Sequence, residues 1–140
     1  MKFSLCIGAY QGKDVVYHLE KIKEHGFQGL EYYAWWDLGD LKKLAAEQER
    51  IGVGLSATCT KFISLVDESL RDAYLEGVRQ TIEACRILGV RSVISQTGNV
   101  LEGVPRDQQR QTMVETLKRC APLFEEAGIV LEVEPLNGLV

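Results

Sequence analysis

Apolar and polar positions along the chain follow two different spacings. Short, mostly apolar runs occupy Phe3–Ala9, Gly29–Trp35, Gly54–Thr58, Ser92–Gln96 and Val130–Glu134, and these predict strands. Between them the pattern turns helical, over roughly Lys13–His25, Leu38–Ile51, Glu68–Leu88 and Pro105–Ala127. In the first of these, Val15, Val16, Leu19 and Ile22 recur at helical spacing. Pro105 suits the first turn of the fourth, whereas Pro122 predicts a kink or local break inside it. Each predicted helix ends in glycine plus an apolar residue: Gly26-Phe27, Gly52-Val53, Gly89-Val90 and Gly128-Ile129. Glycine suits the left-handed residue that closes a helix, and the apolar residue packs back on the last turn.

Strand–helix alternation predicts an α/β fold with a parallel sheet and right-handed crossovers: four βα units and a fifth strand. Nothing resembles a Gly/Ser/Pro-rich linker, so residues 1–140 read as a single domain. Two architectures fit. An open doubly wound sheet can be complete at this length. A (β/α)₈ barrel needs about 250 residues, so this chain would be a partial barrel, its N-terminal portion. Gly8-Ala9-Tyr10-Gln11-Gly12-Lys13, after the first strand, matches neither phosphate-binding glycine spacing. Charged and aromatic residues cluster instead at strand C-terminal ends, the barrel habit.

Composition narrows the function. With 46% hydrophobic and 26% charged residues the chain reads as an ordinary soluble protein. A net charge of -4 without a basic cluster argues against a nucleic-acid partner. No apolar run reaches membrane-spanning length, and the N-terminus lacks a signal-peptide layout, so no membrane is expected. Cys6, Cys59, Cys85 and Cys120 are widely spaced, which predicts reduced thiols in a cytoplasmic protein.

The candidate chemistry gathers at strand ends. Glu134 ends the last strand and is followed at once by Pro135-Leu136-Asn137, where barrels place metal ligands and catalytic bases. One carboxylate does not make a divalent-metal site, so its partners are expected further along a longer chain or on another molecule. Gln96 and Thr97 after strand four, and Asn137 after strand five, suit recognition of hydroxyls and carbonyls. Turn chemistry accounts equally well for Gly98-Asn99. Trp35 and Trp36 end strand two, and at most one faces the mouth while the strand stays regular. Trp36 is the candidate for an apolar wall over substrate, with core packing the alternative. Glu132 shares a strand face with Glu134 and needs a partner if enclosed. His18 and His25 read as outer-surface residues on helix one, and Cys59 as a buried structural thiol.

Glu31-Tyr32-Tyr33-Ala34-Trp35-Trp36-Asp37, Gln96-Thr97-Gly98-Asn99 and Glu134-Pro135-Leu136-Asn137 resemble the xylose isomerase-like barrel superfamily, closest to its hydroxypyruvate isomerase-like and sugar 3-epimerase-like groups. The likeness spans the whole chain but only the N-terminal part of that barrel. The resemblance implies a (β/α)₈ fold and a divalent metal (Mn²⁺, Mg²⁺ or Co²⁺). It also implies isomerisation or epimerisation of a small keto acid or keto sugar through an enediolate. Glu134 takes, by resemblance, the role of metal ligand and of one acid/base carboxylate. The scarcity of histidine argues against the related three-zinc DNA-repair endonucleases. Two rival expectations remain. A half-barrel with open first and fifth strands would self-associate into a homo-oligomer without activity of its own. An open-sheet nucleotide-binding protein is disfavoured by the missing phosphate loop.

Overall fold

In the computed structural model, which describes residues 1–7 and 14–135, side-chain caps decide where helices begin. Asp14 accepts from the Tyr17 amide, so α1 runs Val15–Glu24. Asp40 accepts from the Lys42 and Lys43 amides, so α2 runs Leu41–Ile51, starting later than the apolar spacing predicts. Asp67 caps a 3-10 turn over Glu68–Leu70 that leads into α3, Arg71–Leu88. Helix α4 runs Arg106–Ala127 and continues through Pro122, so the expected break does not end it. The predicted helix endings are all present. The amides of Phe27, Val90 and Ile129 reach back to the carbonyls of Ile22, Cys85 and Phe124 at 2.9–3.0 Å. Gly52, Gly89 and Gly128 are left-handed at the caps.

The strands are β1 (Ser4–Cys6), β2 (Gly29–Glu31), β3 (Gly54–Cys59), β4 (Ser92–Gln96) and β5 (Val130–Glu134). All pair in parallel, in one open sheet ordered β1-β2-β3-β4-β5. A doubly wound sheet reverses its strand order at a switch point, and this sheet does not. Sequential order with every helix on one side is the partial TIM barrel. Leu30, Leu55 and Val93 point into the helix layer and are buried. Ser4, Ser56, Glu132 and Glu134, on the opposite face, are exposed.

The core lies between sheet and helices and includes Leu19, Ile22, Leu44, Tyr74, Val78, Ile82 and Phe124. Buried polar groups are threaded through it in pairs. Gln48 accepts from the Leu55 amide at 2.6 Å and donates to the Leu88 carbonyl at 3.3 Å, pinning the ends of α2, β3 and α3 together. Arg71 Nε donates to Thr116 Oγ1 at 3.2 Å between α3 and α4. His18 departs from expectation: it is buried on the inner side of α1, edge-on to Tyr17, while His25 is exposed. Among the described residues no helix is long and apolar enough to cross a membrane.

Candidate functional site at the C-terminal ends of the strands

Strand β2 stops at Glu31, four residues short of the predicted end. Its register against β3 shifts between Leu30 and Glu31, and the ladder continues only as single bonds. The Tyr32 amide donates to the Ala57 carbonyl at 3.2 Å, and the Cys59 amide donates to the Tyr33 carbonyl at 3.1 Å. Trp35–Asp37 then form a 3-10 turn, which breaks the strand alternation expected for the tryptophans. Trp35 turns to the helices: its Nε1 donates to Thr81 Oγ1 at 3.2 Å, and the Lys61 ammonium lies 5.5 Å over its ring. Trp36 stays at the mouth, edge-on to Phe62 at 5.2 Å. Phe62 also stacks on Tyr33 at 5.8 Å while remaining 56% exposed, so an aromatic wall stands over the end of β3.

On the open face, Gln96 at the end of β4 is the register partner of Glu134 at the end of β5. Glu134 is exposed. Two residues earlier, Glu132 is exposed too and accepts a hydrogen bond from Ser92 Oγ, so it is not a buried charge. Cys59 is buried, and its thiol is pushed up to about 12 by burial first, then by the Glu31, Glu134 and Cys6 groups. The Cys59 thiol therefore stays protonated at neutral pH, a poor nucleophile.

Between the loops that follow β3 and β4 lies a cavity of about 310 Å³. Phe62, Ser64, Asp67, Gln96, Gly98 and Leu101 line it. The two loops are tied by the Leu65 amide donating to the Thr97 carbonyl at 3.2 Å. Gln109 clamps the second loop, bonding Leu101 and Val104 at 2.8–3.0 Å. Beneath the loops a buried chain runs from Thr60 to Ser95 (3.3 Å) and from Ser95 to Tyr74 (2.8 Å). Burial pushes the Tyr74 phenol up to about 12, so it remains neutral.

Of the predicted residues, the structure brings together Glu134 and Gln96 as register partners, while Trp36 packs edge-on against Phe62. Thr97 contributes its carbonyl to the loop tie, and its side chain is not part of the cavity wall. Asn137 lies outside the described residues. Sequence reasoning missed Phe62 and Ser64. The available signal was the apolar and small-polar run Lys61-Phe62-Ile63-Ser64 directly after a strand end.

A family model described as the xylose isomerase-like TIM barrel matches residues 19–139. The chain belongs to this family. A search of curated protein sequences finds no match. Solved structures do match in fold. A 3-keto-D-glucoside 4-epimerase, YcjR, from E. coli is 20% identical with a TM-score of 0.80, covering 98% of this chain and 57% of that one. A family 2 AP endonuclease from Brucella melitensis is 18% identical with a TM-score of 0.87, covering 98% and 56%. The IOLI protein, described with a binding zinc atom, is 18% identical with a TM-score of 0.80, covering 97% and 52%. The chain thus spans slightly more than half the length of these structures. Among the described residues no group of three His, Cys, Asp or Glu side chains is placed to hold a metal ion. Glu134 is a suitable oxygen donor, but the described residues do not by themselves build a metal centre.

Proposed function

We propose that this family member is an isomerase or epimerase acting on a small hydroxy-keto acid or keto sugar. The observation that carries this reading is the placement of Glu134. It stands at the C-terminal end of β5, on the open face, in register with Gln96, which lines the cavity between the β3 and β4 loops. In this reading the Glu134 carboxylate takes the proton from the carbon next to the substrate carbonyl, leaving an enediolate, and a proton returned to the neighbouring carbon or the opposite face completes the reaction. The Gln96 amide orients a substrate oxygen. The wall of Tyr33, Trp36 and Phe62 keeps water from the reactive carbon. The neutral Cys59 thiol adds no charge beside the base.

A divalent metal (Mn²⁺, Mg²⁺ or Co²⁺) belongs to the proposal, with Glu134 as the ligand proposed among the described residues. When bound, such an ion stabilises negative charge on the carbonyl oxygen. The zinc described in the IOLI structure supports a metal in this fold. Against a DNA-cleaving reading like that of the Brucella neighbour stand the net charge of -4 and the placement of both histidines on or just beyond α1. A cytoplasmic setting is proposed from the four cysteines, none of which is in a disulfide.

The experiment is Glu134→Gln beside wild type, assayed for isomerisation of hydroxypyruvate and of ketoses in a barrel that closes this sheet. Loss of turnover with retained folding is the expected result. Turnover within a few-fold of wild type would sink the acid/base role.

A second proposal follows from β5, an edge strand of this sheet, where Val130 is 61% and Val133 41% exposed. An uncovered apolar edge pairs with other chains, so this chain alone self-associates. Light scattering at rising concentration checks this, and a particle that stays monomeric speaks against it.

A further inference from the structure

Residues 97–105 connect β4 to α4, and Gly98, Asn99 and Leu101 among them line the cavity. Loops that carry binding residues work when a scaffold positions them. This loop is fastened at both ends. At its start the Leu65 amide donates to the Thr97 carbonyl at 3.2 Å. Gly98, at φ +90°, closes directly over Ser64: a Cβ built there would lie 2.9 Å from Ser64 Cβ and 3.0 Å from Ser64 Cα. Only glycine permits that approach and that backbone conformation. The far end is held by Gln109, which is 4% exposed on the first turn of α4. Gln109 Oε1 accepts from the Leu101 amide at 3.0 Å. Its Nε2 donates to the Leu101 carbonyl at 3.0 Å and to the Val104 carbonyl at 2.8 Å. Both amide hydrogens and the oxygen are therefore used, and Leu101 is gripped by both of its backbone groups. Between the two fastenings lie Asn99 and Val100. Gln109 itself does not line the cavity.

We infer that Gln109 is a positioning residue: acting through Leu101, it fixes the β4 loop as a standing wall of the cavity before substrate arrives. The role in binding rests on the isomerase reading, whereas the clamp stands on its own hydrogen bonds. The physical gain is preorganisation. A wall already in place leaves a substrate no loop to order. A loop that samples other positions weakens apparent affinity in proportion to the time it spends away. Leucine at position 109 would fill the space without polar atoms. The Leu101 amide and the Leu101 and Val104 carbonyls would then have to find water, and the loop would move outward to reach it. Gln109 touches no reacting atom, so its loss acts on binding and leaves the chemical step alone.

The test pairs amide hydrogen exchange on the 140-residue chain with steady-state kinetics in a barrel that closes this sheet, for wild type, Gln109→Leu and Gln109→Glu. The Leu101 amide should exchange about tenfold faster, or more, in Gln109→Leu, since its hydrogen-bond acceptor is gone. The Leu65 amide, which reports the other fastening, should stay within about twofold. In the kinetics KM should rise about tenfold in Gln109→Leu while kcat stays within about twofold. The carboxylate in Gln109→Glu still accepts from the Leu101 amide but has no proton for the two carbonyls, so KM should rise there too. Unchanged Leu101 exchange in Gln109→Leu would overturn the clamp. Faster exchange with an unchanged KM, or a fall in kcat with KM held, would overturn the positioning role. If Gln109→Leu does not fold, the KM of Gln109→Glu decides the matter. Failure of the parent reading looks different: turnover would be indifferent to Glu134→Gln while Leu101 exchange still depended on Gln109. A wild-type barrel without turnover would end the parent reading and the positioning role together.

Discussion

The middle and the edge of this sheet are built to different standards. Between β3 and β4, Thr58, Val93 and Ser95 are wholly buried, and the Thr60–Ser95–Tyr74 chain satisfies the polar groups beneath the loops. On β5 only Leu131 is even half-buried, yet this strand carries Glu134. The interior strands hold the loops that line the cavity, while Glu134 stands on an edge strand with four of its five residues exposed. On the proposed reading, stability and chemistry are therefore separable here by mutation.

The sharpest break of that comparison is at Glu134. Glu134→Gln should cost about 10²–10⁴-fold in kcat, the usual worth of a positioned acid/base, in a barrel that closes the sheet. Its Tm should stay put, because the side chain is exposed; a large drop in Tm would mean that the edge is structural after all. Next come two equal truncations in unequal places. Val93→Ala should lose about 1.5–3 kcal/mol in denaturant unfolding. Val133→Ala, 41% exposed, should change stability by no more than about 0.5 kcal/mol. Similar losses at both sites would erase the distinction between middle and edge.

A further check is alkaline. Burial pushes Cys85 and Tyr74 up to about 12 and Cys120 up to about 11, with Cys59 also at about 12. The unfolded chain, near the ordinary thiol and phenol values, releases these protons first as pH rises. Their contribution to stability is therefore intact below about pH 9 and is lost as pH climbs to about 12. Urea midpoints measured from pH 8 upward should fall across that window. A flat profile would mean that these groups are more open to water than their burial indicates.

Much of this was legible in the sequence, for identifiable reasons. Glycine followed by an apolar residue is a local signal with a local cause, and the helix ends at Gly52, Gly89 and Gly128 fall where it predicts. Glu134 was legible because Pro135 marks the strand end beside it. The tryptophan turn was not, because the Leu30/Glu31 register shift arises from pairing with a strand more than twenty residues away. His18 was misplaced because two histidines seven residues apart share a helix face whether it points in or out. The burial of the Ser64 hydroxyl was not legible for a similar reason: it is set by Gly98, on a different loop.

The sheet order has a consequence for how the molecule is made. Each strand pairs with the strand before it in the chain, so β3 finds β2 waiting, and β5 finds β4. Every new βα unit emerging from a ribosome thus meets its permanent neighbour already in place, and none must be held back for a distant partner. Such a chain can be assembled in sequence, and the growing edge at each moment is the surface on which the next unit is laid.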